Sequence, residues 1–162
     1  MPYISDSANL YRVETAQKAV ILTMLGGEEL RGNVFIHPSS YRPFELEDVS
    51  ELLNSGTPFF PLELETGEVV IVSKQRVAEA AANRADDASE PPRGAPSPTA
   101  LLQIVLVGGE VRLGSIRLEA PPHRARVLDY LNALTSRFLT LYTSNDARLI
   151  NSSLIDRVRP LD

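Results

Sequence analysis

Two histidines, His37 and His123, occupy the loops HPSSYRPF (37–44) and APPHR (120–124). A pair of imidazoles could share a metal ion or a proton, but a metal site usually needs three or more ligands in range. No His-x3-His spacing and no acidic cluster accompanies either histidine, so both are expected to be exposed loop residues. GG-E followed by a further glycine, as in GGEELRG (26–32), has the look of a phosphate cradle. A P-loop requires G-x-x-x-x-G-K-[ST] between a strand and a helix, and Asn33-Val34 follow Gly32 here. Asp48 with Glu51, and Asp129, could act as acid–base carboxylates. They fall on the polar side of short helical segments, where Asp48 serves better as a partner for the helix N-terminus. Ser39-Ser40 and Ser152-Ser153 have no nearby base. The chain has no cysteine, which removes thiolate metal sites, disulfides and a cysteine nucleophile. No catalytic residue, metal ligand or cofactor site is assigned, and the chain is expected not to be an enzyme.

The polar residues that stand out are of another kind. Asn54 and Asn132 close two similar stretches, DVSELLN (48–54) and RVLDYLN (126–132). A structural role is expected for both, capping the helix end or bonding the turn into the next strand. Asn151 is expected to satisfy the final turn in the same way. The eight cations of residues 100–162 are all arginine, whose planar fork suits carboxylates and phosphates. Arg124, Arg126, Arg137 and Arg148 are the candidates for contact with a partner.

The chain has 162 residues, 43% of them hydrophobic and 23% charged, enough apolar material for a buried core. Residues 1–80 carry six Lys/Arg against twelve Asp/Glu, whereas residues 100–162 carry eight against six. The first part is acidic and the second mildly basic. The N-terminus lacks a basic region followed by an apolar one. The longest apolar run falls far short of the ~20 residues that span a bilayer. A cytoplasmic location is the expectation.

The stretch 81–100, AANRADDASEPPRGAPSPTA, is rich in Ala, Pro, Ser and Asp. Such a composition cannot bury enough apolar area to offset its ordering entropy. A flexible linker is predicted over 82–99, dividing the chain into repeat 1 (1–81) and repeat 2 (100–162). The flanks align. TMLGGEELRGNV (23–34) matches VLVGGEVRLGSI (105–116), with Gly26, Gly27 and Gly32 on Gly108, Gly109 and Gly114. Beyond a four-residue length difference, Val49, Leu53, Asn54, Phe60, Val72 and Val77 fall on Val127, Leu131, Asn132, Phe138, Ile150 and Ile155. The two parts read as copies of one unit.

Each copy has the same internal order. KAVILTML (18–25) or ALLQIVLV (100–107) is a strand, and Gly-Gly suits the positive φ of a tight hairpin. ELRGNVFI (29–36) or VRLGSIRL (111–118) follows, with Gly32 or Gly114 predicted to mark a bulge or sharp bend. Val49, Leu52 and Leu53 fall at i, i+3 and i+4, as do Val127, Tyr130 and Leu131: one helical face. Asn54-Ser55-Gly56 reads as a left-handed helix stop. FFPLELE (59–65) or RFLTLYT (137–143) and VVIVS (69–73) or ARLINS (147–152) form a second hairpin, and a last short strand lies near Val77 or Ile155–Val158. The predicted fold is mainly β (α+β): two tandem bent β-barrels or half-barrels, each β-β-α-β-β(-β), packed as a pseudo-twofold pair.

The pattern LTMLGGEELRG and IVLVGGEVRLG, with the ending ARLINSSLIDRVRP, resembles the small SH3-like and Sm-like barrels. It is also similar to uncharacterised tandem domains of bacterial proteins. The resemblance covers about two-thirds of each copy and implies five short, strongly bent strands. It departs where Sm proteins bind RNA: a helix carrying Asp129 and Asn132 replaces the loop between strands two and three. Asn151-Ser152 and Ser73-Lys74 stand in place of Arg-Gly. No RNA-binding residue carries over.

The function expected is therefore a non-enzymatic adaptor or regulatory module with a protein partner. That partner would be the other repeat, a second copy, or another protein. The alternative is an Sm-like single-stranded RNA or DNA binder. With Tyr130 and Phe138 at core-facing positions, Tyr142 is left as the expected exposed ring, a weak platform for bases.

Overall fold

The structure, a computed structural model, describes residues 16–84, 98–118 and 126–161. The predicted repeat 1 and repeat 2 regions supply its N-terminal and C-terminal halves. The N-terminal half contains β1 (Ala16–Met24), β2 (Glu29–Ile36), α1 (Val49–Asn54), β3 (Phe59–Leu64), β4 (Val69–Ser73) and β5 (Val77–Asn83). The C-terminal half contains β6 (Thr99–Leu106), β7 (Val111–Arg117), α2 (Val127–Asn132), β8 (Phe138–Tyr142), β9 (Asp146–Asn151) and β10 (Ile155–Pro160). A single 3-10 turn precedes the last strand of each half, at Lys74–Arg76 and Ser152–Leu154.

All ten strands form one antiparallel sheet, in the order β10-β6-β7-β8-β9-β5-β1-β2-β3-β4. Within each half the fifth strand lies beside the first, and the second, third and fourth follow outward. The halves meet where β5 pairs with β9, in the register Glu79↔Ile150 to Asn83↔Asp146. This corrects the expected pseudo-twofold pair. A twofold axis sets like against like, but here the fifth strand of one half joins the fourth of the other. Two unlike strands, β4 and β10, are left at the ends of the sheet.

Burial follows this arrangement. One core gathers Val20, Leu22, Val34, Ile36, Phe60, Leu62, Val72 and Val77 with Val49, Leu52 and Leu53 of α1. It also takes Phe138 and Leu149 from the C-terminal half. The second core holds Leu102, Ile104, Ile116, Leu139, Leu141 and Ile150. Leu149 and Ile150 are neighbours in β9, and a strand's successive side chains point to opposite faces. Strands β8 and β9 thus carry buried apolar side chains on both faces, as at Phe138-Leu139 and Leu149-Ile150.

The helices form where the apolar spacing predicts. Asp48 accepts from the Glu51 N–H at 2.8 Å and Glu51 reaches back to the Asp48 N–H, a capping box that satisfies two donors at the start of α1. No left-handed stop follows. The chain leaves α1 extended at Ser55 (φ −69°), whose N–H and hydroxyl both donate to the Leu52 carbonyl. Helix α2 has no buried residue and no side-chain cap, so the two helices seal their surroundings unequally.

Three further expectations change. The linker is shorter than 82–99, because β5 continues through Asn83 and β6 starts at Thr99; residues 85–97 lie outside the described chain. Gly32 and Gly114 mark no bulge, since the β1–β2 and β6–β7 registers run through them unbroken. The irregularity lies instead between Thr23 and Met24 opposite β5, and between Ile155 and Arg157 opposite β6. The glycines are required by close approach: an added Cβ would meet the Glu63 carbonyl oxygen at 2.2 Å or the Tyr142 carbonyl oxygen at 2.6 Å. Finally, Phe138↔Asn151 matches Phe59↔Ser73 in the ladder, not Phe60↔Val72. The link from helix to strand is one residue longer in the C-terminal half, which moves the aromatic by one place and so to the other face.

Candidate functional site

The side chains that could do chemistry converge on the junction between the halves. Strand β5, VAEAAAN, presents small residues and one carboxylate. That carboxylate, Glu79, is buried. Arg112 Nε, from β7, donates to both Glu79 oxygens at 3.0 Å. Arg148, from β9, reaches Glu79 at 3.4 Å and Asp146 at 3.3 Å. The hydrogen bonds to Glu79 hold the Arg112 guanidinium above its ordinary pKa against the opposing effect of burial, with the charges of Glu79 and Glu110 adding to the rise. A buried acid bridged by two cations meets the condition under which an ion pair at an interface is tolerated. The acidic and Arg-rich halves therefore do meet across their contact.

Asn54 carries a second connection. Its Oδ1 accepts from the Phe138 N–H at 2.8 Å and its Nδ2 donates to the Phe138 carbonyl at 3.3 Å. The expected bond is to the next strand, β3; the partner is instead the first residue of β8 in the opposite half. Asn151 is buried; its Nδ2 donates to the Val77 carbonyl at 3.0 Å while its Oδ1 accepts from the Ser153 N–H at 3.1 Å. It closes the final turn and crosses the junction. Asn132 does neither: it is exposed at the end of α2 and makes no side-chain hydrogen bond among the described residues.

Tyr142 is buried, not exposed. Its ring lies under the guanidinium carbons of Arg117 at 4.0 Å and Arg84 at 5.4 Å, within cation–π range. Arg84 also donates to the Thr143 carbonyl at 2.9 Å, so it too joins the halves. Of the four candidate arginines, Arg126 and Arg137 are exposed, Arg148 is paired inside the junction, and Arg124 lies outside the described residues, as does His123. His37 is half-exposed, 3.5 Å from a Glu47 oxygen. No group of three or more His, Cys, Asp or Glu able to hold a metal occurs among the described residues. No helix among them is long and apolar enough to cross a membrane.

A cleft of about 820 Å³ opens along the junction, lined in part by Glu29, Arg31, Glu79, Arg112, Asp146 and Arg148. Its lining mixes carboxylates and guanidiniums, and no His, Cys or Lys among the described residues lines it. Both Glu79 oxygens are engaged there by Arg112, and Arg148 reaches one of them.

Lys74 was not foreseen. Its Nζ is buried and donates to the Ser55 carbonyl, the Ser55 hydroxyl and the Thr57 hydroxyl at 3.2, 2.8 and 3.0 Å. All three acceptors are neutral. Desolvation lowers the ammonium pKa, Arg137 lowers it further, and Glu47 opposes. A lowered folded-state pKa means that the unfolded chain binds more protons between that value and the ordinary lysine value of 10.5. Stability from this group is therefore present above 10.5 and is lost as pH falls through the folded value. Lys74→Met is expected to leave the protein as stable or more stable at pH 7, because Ser55 and Thr57 are exposed enough to bond water. It should also flatten the rise of stability between neutral and alkaline pH. Urea midpoints for the two proteins from pH 7 to 10 check this; parallel curves would contradict it.

The remaining feature lies at the ends of the sheet. Beside the edge of β4, which no described strand pairs, the side chains of Phe59, Val69 and Ile71 are exposed. The run VVIV has the continuous apolar character of a strand buried on both faces, and only one of its faces is covered. Comparison with protein-family models, with curated proteins and with solved structures returns no match.

Proposed function

We propose that the chain is a non-enzymatic interaction module. It is built from a duplicated small β unit, each copy a bent half-barrel of the SH3-like or Sm-like kind, and it engages a protein by strand addition at its open edges. The observation that carries this reading is the sheet whose end strands, β4 and β10, each pair on one side only among the described residues, with Phe59, Val69 and Ile71 exposed beside β4. Unpaired edges present rows of N–H and C=O groups that template another strand, and exposed apolar side chains alongside mark a surface meant to be covered. Main-chain bonds would supply affinity and alternate side chains specificity. Single-stranded nucleic acid has less support. Arg84, Arg112, Arg117 and Arg148 are engaged within the chain, which leaves a thin basic surface for phosphates.

The test is capture from native lysate with the wild-type chain and with Ile71→Lys, whose side chain is exposed and whose substitution should spare the fold. A protein retained by the wild type across salt concentrations and lost by the variant supports the reading. Equal retention by both, or bound material that is nuclease-sensitive and released by moderate salt, overturns it.

A further inference from the structure

We infer that the occupant of both open edges is a second copy of this chain, docked head to tail, with β10 of one copy pairing antiparallel with β4 of the next. The inference rests on the duplicated-unit reading above. It uses the inner junction as the template for the outer one.

The ladders define which residues correspond. Thr23 and Met24 face Glu79 and Val77 across an irregularity, and Val105 and Leu106 face Arg157 and Ile155 across the same one. Val77 therefore corresponds to Ile155 and Ala80 to Val158. Phe59↔Ser73 corresponds to Phe138↔Asn151, which sets Val69 and Ile71 against Ala147 and Leu149. The contrast in burial is large. Phe138, Ala147 and Leu149 are 1%, 4% and 1% exposed, because they pack against the neighbouring half. Phe59, Val69 and Ile71 are 56%, 49% and 68% exposed. These side chains are apolar where the inner junction needs apolar side chains, and they lack only the neighbour.

The other end matches from its side. Val77, Glu79, Ala80 and Ala82 of β5 are buried by β9, whereas β10 has no buried residue. Helix α1 buries Val49, Leu52 and Leu53, whereas α2 only partly buries Val127, Tyr130 and Leu131 against the second core and leaves Leu128 exposed. Asn132 sits on α2 where Asn54 sits on α1, free to bond the backbone of Phe59 in the next copy as Asn54 bonds that of Phe138. Charge favours the contact: β10 carries Arg159 and an Arg157 paired with Asp156, net basic, and the β3–β4 hairpin carries Glu63, Glu65 and Glu68.

Two differences make the outer contact weaker than the inner one. Pro160 has no N–H, which removes a donor from the end of the ladder. Val70 stands where Arg148 stands, so the Glu79 ion pair is not reproduced. The assembly is thus reversible, while the inner junction, being intramolecular, is permanent. A head-to-tail contact repeats, giving a ring if the rotation closes and a filament if it does not. Either way, one continuous sheet runs through all copies.

The absence of cysteine makes the test clean. Translating Ala81↔Arg148 by the correspondence places Arg159 of one copy opposite Val70 of the next. Arg159→Cys and Val70→Cys are prepared separately, mixed and oxidised, and light scattering follows the mass of the unmodified chain with concentration. Disulfide-linked dimers from the mixture only, together with a mass that rises with concentration and a dissociation constant weakened about tenfold or more by Ile71→Lys, are expected. Wild-type melting by Ile71→Lys shows that the variant is folded. Dimers within either single variant, or a monomeric mass at every concentration, overturn the inference. In the monomeric case the lysate capture still decides independently whether the edges serve a different protein.

Discussion

Gly32→Ala is expected to lower stability by about 3 kcal/mol or more, the upper range for forcing extra volume into a packed site. On a chain of this size that is a fall in melting temperature of roughly 6–12 °C. The reason is space, not conformational freedom, because φ at Gly32 is not positive. An added Cβ would lie 2.2 Å from the Glu63 carbonyl oxygen, 2.9 Å from its carbon and 3.2 Å from Leu64 Cα. All three are backbone atoms of the paired strand, so no rotamer change relieves the clash. The β2–β3 ladder has only three residue pairs, Gly32↔Leu64 to Val34↔Leu62, and must open to admit a methyl group. Gly114→Ala should be milder: it meets the Tyr142 carbonyl oxygen at 2.6 Å, but its second contact, Leu141 Cγ at 2.8 Å, is a side chain that can shift. Thermal melts of both variants rank them, and an unchanged melting temperature for Gly32→Ala would sink the close-approach argument.

Phe138→Ala should cost about 3–5 kcal/mol, as removal of a buried aromatic does, and the damage should appear in the other half of the chain. Phe138 belongs by sequence to the C-terminal half, yet it packs with Val49, Leu53, Phe60 and Val77. Leu139, the next residue, packs with Leu102, Ile104 and Ile116. Hydrogen exchange separates the two because it reads stability region by region. Phe138→Ala is expected to speed exchange chiefly in β1, β5 and α1. Leu139→Ala, costing about 2–5 kcal/mol, is expected to do so chiefly in β6 and β7. Identical exchange maps from these adjacent substitutions would contradict the two-core description.

Much of the local structure was legible in the residues. Alternation and turn glycines located the strands to within a residue or two at most ends, and the i, i+3, i+4 spacing located both helices. Asp48 was legible as a carboxylate suited to a helix start, but the reach of Glu51 back to its N–H was not. The candidate site was legible only in fragments. Asn54 and Asn151 were marked as structural, but their partners, Phe138 and Val77, lie 84 and 74 positions away. Glu79 gave little signal as a lone acid in an alanine-rich strand, and Lys74 gave none, because a lysine's type predicts exposure. Arg148 was marked for an outside partner and is paired within the chain. The run VVIV is apolar at both phases of a strand's alternation, a pattern that marks a strand with two faces to cover.

By itself, then, the amino-acid order determined a mainly β chain, its turns, its two short helices and the absence of thiol chemistry, since each of these is written in spacings of a few residues. Only the tertiary structure decided that β5 joins β9, that Phe138 and Leu149 complete the first core, and that β4 and β10 end the sheet. The physical reason is that every strand edge carries the same N–H and C=O groups. Which edge a strand joins is therefore settled by packing between residues distant in the chain, and no local pattern records that choice.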